Sequence, residues 1–104
     1  MTGLNFIINI DVPDLAAATR FYTQGLGLTV GRRFGGTVEL LGGPTPIYLL
    51  QSNADSNALL HGGDRRRYDR HWTPVHLDFI SDDVEAAVAR AEAAGAVVEC
   101  PVRS

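Results

Sequence analysis

The feature that most constrains this chain is a strand-then-helix pattern written twice. Residues 4–12 alternate, with Phe6, Ile8 and Ile10 on one face and Ile7, Asn9 and Asp11 on the other. Residues 74–80 do the same, setting Val75, Leu77 and Phe79 against His76, Asp78 and Ile80. An aspartate suited to cap a helix follows each stretch, Asp14 after the first and Asp83 after the second. Apolar residues then recur at helical spacing: Leu15, Ala18, Phe21 and Tyr22 in one, Val84, Ala87, Val88 and Ala91 in the other. Laying Ile7 on His76 superimposes Ile8 on Leu77, Ile10 on Phe79, Asp14 on Asp83 and Leu15 on Val84. Few identities coincide, so the likeness is one of pattern. It points to two similar modules stacked as a pair, although any two strand–helix units align in this way.

Between the two units, Gly25 and Gly27 end the first helix. Residues 28–34, 37–41 and 47–51 read as strands, separated by the turn signals Gly35-Gly36 and Gly42-Gly43-Pro44. Such a trio predicts an antiparallel meander. A polar stretch without sustained period follows, long for a loop in a small domain. Gly95 ends the second helix, residues 96–100 read as a short strand, and Pro101 opens a tail. The order is β-α-β-β-β, linker, β-α-β. This predicts one α+β domain over 1–104: module one at 4–51, a linker at 52–73 and a partial second module at 74–104.

Composition narrows the classes of function. The chain has 104 residues, 45% of them hydrophobic, and a formal net charge of −3, which suits one folded domain. A mildly acidic balance gives no footprint for nucleic acid or an anionic membrane surface. Cys100 is the single cysteine, so no intramolecular disulfide forms, and a cytoplasmic location is expected. The first residues lack a basic secretory leader and no apolar run approaches membrane-spanning length; a secreted protein with its leader removed is the alternative.

Two motif sets now carry a resemblance. Val12-Pro13-Asp14-Leu15, then Arg20-Phe21-Tyr22 and Gly25-Leu26-Gly27-Leu28, resemble the first-module signature of the vicinal-oxygen-chelate superfamily, the glyoxalase, bleomycin-resistance and extradiol-dioxygenase group. His76-Leu77-Asp78-Phe79-Ile80-Ser81-Asp82-Asp83, followed by an alanine-rich helix and Gly95, is similar to its second-module signature. The resemblance implies paired βαβββ modules with the second truncated to βαβ, lacking two strands, or about 20 residues at ordinary strand and turn lengths. The gap would fall within a sheet and leave backbone groups unpaired. That implies a C-terminally incomplete chain, or a second copy supplying strands. A homodimer is expected on the same ground.

The resemblance also implies a divalent metal in the cleft between modules, held by a residue on the first strand of each module and by carboxylates on the last strands. Carried over residue by residue, the first position is Ile7, which has no donor atom. The second is His76, an intact match. The third falls near Tyr48, which is not a carboxylate, and the fourth lies in the absent strands. An unusual site built from His76 and Asp78, two apart on one strand face, is an alternative; a plain hydrogen-bonded histidine is another. Glu39 is expected to face solvent, and Gln51 to turn inward only through a bulge.

Other polar features keep two readings each. Arg65, Arg66, Arg67 and Arg70 form a solvated loop or steer an anionic ligand; Trp72 and Tyr48 pack in the fold or stack on a planar ligand. His61 and His71 read as surface residues, and Cys100 as a buried, inert thiol. The expected function is a small-molecule binding protein or atypical enzyme. Its small organic ligand would lie in a cleft lined by Ile7, Asn9, Tyr48, Leu50, His76 and Asp78, with no cofactor and no metal. His76 is the expected polar anchor, and the general base if chemistry occurs. The alternative is a metal-dependent lyase, isomerase or dioxygenase using His76 and a carboxylate from the absent segment. A structural or partner-binding module, the third reading, would lack a ligand-sized cleft.

Overall fold

A computed structural model describes residues 3–59 and 62–102. Met1, Thr2, His61 and the tail residues Arg103 and Ser104, on which some of the expectations above fall, lie outside them. The first strand, β1, runs Ile8–Val12, and helix α1 runs Leu15–Arg20, continued by a π-helical turn at Phe21–Gly25. Strands β2 (Thr29–Phe34), β3 (Thr37–Leu41) and β4 (Ile47–Gln51) follow, and helix α2 spans Val84–Ala93.

The four strands form one sheet in the order β1-β4-β3-β2. β2, β3 and β4 pair antiparallel as the Gly-rich turns require, and β1 lies parallel to β4. That parallel pairing needs a crossover, which α1 and the meander supply. Alternation then decides the faces. Val12, Val38, Leu40, Ile47 and Leu49 are buried, and Ile8, Ile10, Leu15, Ala18, Tyr22 and Val30 pack partly buried against them. Burying a side chain such as Leu49 or Leu40 contributes about 1.5–3 kcal/mol, so this layer of α1 on sheet carries the fold.

The junction from β1 into α1 is tied twice. Asp14 Oδ1 accepts from the Ala17 amide at 3.0 Å, the expected N-cap. The Gln51 side chain, from the end of β4, accepts from the Leu15 amide and donates to the Pro13 carbonyl. Gln51 is thereby a structural brace. In α1 the Thr19 hydroxyl donates to the Leu15 carbonyl, and in the π-helical turn that of Thr23 donates to the Thr19 carbonyl, a local competition with the helical ladder that accompanies the widened turn. Gly27, at φ +77, then reverses the chain with its amide on the Thr23 carbonyl.

The second unit departs from the alternation. α2 forms as expected, with Asp83 Oδ1 accepting from the Ala86 amide. It packs on the first helix's π-helical turn, where Arg90 Nε donates to the Gln24 carbonyl at 2.6 Å. Residues 74–80 and 96–100, expected as strands, carry no ladder pairing among the described residues. Phe6, Val75, Leu77 and Phe79, on the all-apolar faces of the two alternating stretches, are exposed, and so is Cys100, expected buried. Among the described residues no strand pairs with 74–80 or 96–100 to take their backbone groups, and alternation alone does not hold an isolated strand together in water.

Candidate functional site

The sheet face turned away from α1 is the one α1 leaves open. Its residues are the odd-numbered ones of β1 (Asn9 and Asp11), the even-numbered ones of β4 (Tyr48 and Leu50) and Thr37, Glu39 and Leu41 of β3. Register brings Asn9 beside Tyr48, Tyr48 beside Glu39, and Leu50 beside both Asp11 and Thr37. Of the six residues expected to line a ligand cleft, Asn9, Tyr48 and Leu50 therefore share one surface. Ile7 precedes β1 and is half exposed.

At the centre of this face stands a group that strand alternation misjudges. Glu39, expected in solvent, is only 8% exposed. Its carboxylate accepts from the Arg32 amide at 3.0 Å and Nε at 3.2 Å on one oxygen, and from Arg32 Nη2 at 3.1 Å and the Tyr48 hydroxyl at 2.8 Å on the other. Arg32 Nη2 also donates to the Tyr48 oxygen at 2.7 Å. The Arg32 bonds, then its amide and the Tyr48 hydroxyl, hold the Glu39 carboxyl down at about 2. The same carboxylate, and after it Tyr48, raises the Arg32 guanidinium.

What delivers Arg32 is an irregularity in β2. The pairing of β2 with β3 shifts register between Val30 and Arg33, and a bulge of this kind re-aims a side chain. Gly31 in the bulge has no side chain because a Cβ there would stand 2.5 Å from Glu39 Oε1 and 2.8 Å from Leu41 Cδ1. The Phe34 ring lies 5.6 Å from the Arg32 guanidinium carbon, and edge-on to Tyr48 with 6.2 Å between centroids. Sequence reasoning missed Arg32, Phe34 and the role of Glu39. The available signal was a glutamate inside the apolar run of β3 opposite a Gly-Arg-Arg stretch.

Along the free edge of β1 runs a groove of about 1060 Å³, walled by Asp11, Arg66, Arg67, Tyr68, His71 and Trp72 among others. The linker is folded here. Arg66 pairs with Asp11 at 2.8 Å and also donates to Ser56 Oγ, while the Tyr68 hydroxyl donates to the Ser52 carbonyl at 2.7 Å. Its bond to Asp11 raises the Arg66 guanidinium. Arg70 pairs with Glu99; Arg67 has no ion pair among the described residues. His76 and Asp78 lie in the exposed, unpaired run and make no hydrogen bond among the described residues. They are not among the walls of this groove.

The donor set does not suit the divalent metal that the resemblance implies. Ile7 offers no donor atom, the Tyr48 oxygen is engaged by Arg32 and Glu39, and the Glu39 carboxylate is occupied by a guanidinium that would repel a cation. Among the described residues no three His, Cys, Asp or Glu side chains gather as metal ligands. These residues do not fit a divalent metal.

Residues 7–103 match the family described as "Glyoxalase-like domain". The chain belongs to that family, and with it to the vicinal-oxygen-chelate superfamily. A search of curated proteins gives no match. Among solved structures, a lactoylglutathione lyase from Agrobacterium tumefaciens is 24% identical, with a TM-score of 0.63, over 100% of this chain and 79% of that one. A glyoxalase/bleomycin resistance protein/dioxygenase from Nocardioides is 24% identical over 97% of this chain and 69% of its own, with a TM-score of 0.62. A hypothetical protein from S. aureus is 20% identical over 100% and 80%, at 0.64. At these identities the likeness shows the fold: α+β, of the glyoxalase/bleomycin-resistance type.

In this glyoxalase-like domain the first-module signature does structural work. Asp14 caps α1, Tyr22 joins the core, and Gly25 lets the helices meet, since a Cβ there would lie 3.0 Å from that of Ala94. No helix among the described residues is long and apolar enough to cross a membrane.

Proposed function

We propose that this glyoxalase-like domain binds a small organic molecule on its open sheet face, without a complete divalent-metal site. The observation that supports this best is the engagement of Glu39, the carboxylate central to that face, by Arg32 and Tyr48. A face so arranged recognises a ligand by shape and a few fixed hydrogen bonds. Asn9, Tyr48 and Leu50 form its first-module wall, with Ile7 at the margin. His76 and Asp78 are the polar groups that the second module would bring, His76 as anchor and as base if chemistry occurs. The single cysteine fits a cytoplasmic setting.

The test is elemental analysis of protein purified without chelators, beside His76→Ala. We expect no stoichiometric divalent metal in either protein, and weaker ligand binding in the variant. One tightly held metal per chain, lost on His76→Ala, would overturn the metal-free reading in favour of a metal-dependent lyase, isomerase or dioxygenase.

A further inference from the structure

Resting on that reading of the open face, we infer that Arg32 is the anchor for a ligand carboxylate, presented by the Glu39–Tyr48 pair behind it and the Phe34 ring beside it. The sequence motifs do not single out this position, and no metal is involved.

The Arg32 guanidinium is held along one edge. Nε and Nη2 are committed to Glu39 and Tyr48. Nη1 has no protein partner among the described residues, and the side chain is 68% exposed although its carboxylate partner is not. The group is therefore fixed from behind and open in front. An arginine on an exposed strand ordinarily gives up considerable rotamer freedom when it binds a ligand. Here the bulge at Gly31, two side-chain hydrogen-bonding partners and the aromatic ring have already restricted it, so less is lost on binding.

Charge decides the ligand class. The Arg32–Glu39 pair is neutral in sum, yet it is oriented, with its positive end the exposed one. A ligand carboxylate on Nη1 would stand about 3 Å from the guanidinium and about twice as far from Glu39, so attraction exceeds repulsion. The Tyr48 hydroxyl donates to Glu39 and accepts from Arg32 Nη2, so it offers a ligand no free donor and leaves the carboxylate to Arg32. Phe34 and Tyr48 supply ring surface beside the anchor. Leu50 and Asn9 lie farther along the same face, about 5 Å per strand at ordinary spacing. A monocarboxylate with a flat apolar body fits these groups.

The probes are benzoate and its uncharged analogue benzyl alcohol, titrated into the whole chain while the arginine Nε–H and backbone amide resonances are followed by NMR. Benzoate should saturably shift Arg32 Nε–H together with the amides of Asn9, Tyr48 and Leu50. It should bind about ten-fold more tightly than benzyl alcohol, and the margin should narrow as salt is added. Arg32→Gln alone would strand a buried carboxylate, so it is combined with Glu39→Gln; the double variant should bind both probes alike. Equal affinity in the wild type, a preference that survives in the double variant, or benzoate shifts at Arg67 and His71 but not Arg32 would each overturn the inference and leave the open-face reading standing. Failure of both probes to shift Asn9, Tyr48 or Leu50 would overturn that reading as well.

Discussion

Glu39 is a carboxylate in a strand whose neighbours Val38 and Leu40 are almost wholly buried. Alternation places it on the face opposite the core, which is correct, and from there suggests water, which is not. The missing fact is non-local: a register shift in β2 brings Arg32 over it. Spacing along the sequence cannot show a bulge whose existence depends on pairing with another strand. The pH dependence follows from the same contacts. Glu39 is held at about 2 in the folded chain against an ordinary 4.5, so between those values the unfolded chain binds more protons. Its contribution to stability is complete above about pH 4.5 and is lost as the pH falls through 2. Urea midpoints of wild type and Glu39→Gln should therefore differ most above that window and converge at its acid end; a difference constant from pH 5 to 2.5 would exclude the assignment. Gly31→Ala attacks the cluster from the other side. The added methyl meets Glu39 and Leu41 at distances no carbon tolerates, and a loss of roughly 1–3 kcal/mol is expected in the same unfolding measurement.

Among the elements, β1 to β4 and both helices were legible because each is specified by local signals: alternation, Asp14 and Asp83 as caps, glycine pairs at the turns. Residues 74–80 carry an alternation as clear as that of β1, yet only β1 becomes a strand. The difference lies in the company each keeps. β1 has β4 beside it and gives Val12 to the buried cluster on which Leu15, Ala18 and Tyr22 pack, whereas residues 74–80 have no ladder partner among the described residues. For the candidate site the same division holds. That Asn9, Tyr48 and Leu50 share one face was readable because β1 and β4 form and alternate as expected, whereas His76 and Asp78 stand in a run that forms no strand among the described residues. Substitution should expose this contrast. Leu49 is fully buried, so Leu49→Ala should cost about 2–5 kcal/mol. Val75→Ala removes an exposed side chain and should stay within about 0.5 kcal/mol. A comparable loss from both in thermal or urea unfolding would mean that residues 74–80 are packed in solution.

The whole molecule is uneven in the same sense. Its radius of gyration is 15.3 Å, against about 13 Å for a compact domain of 100 residues. The exposed apolar residues gather in the C-terminal part: Trp72 at 80%, Val75 at 70%, Ile80 at 99% and Val97 at 85%, with Phe79 between them. Scattered single residues of this kind are ordinary on a surface, but a run of them marks a surface suited to association. β1 adds an edge, since among the described residues it has a sheet neighbour only on its β4 side. We therefore expect the 104-residue chain to self-associate. Sedimentation over a range of concentrations should give a mass that rises above the 11.2 kDa of one chain toward that of a dimer. Ile80→Asp should push the equilibrium back toward the single chain, because a carboxylate on the contact surface must be desolvated when the copies meet. Arg33→Asp, on the far edge strand β2, should leave it unchanged. A single species of one-chain mass at every concentration would exclude self-association, and equal effects of the two substitutions would place the contact elsewhere than on residues 74–80.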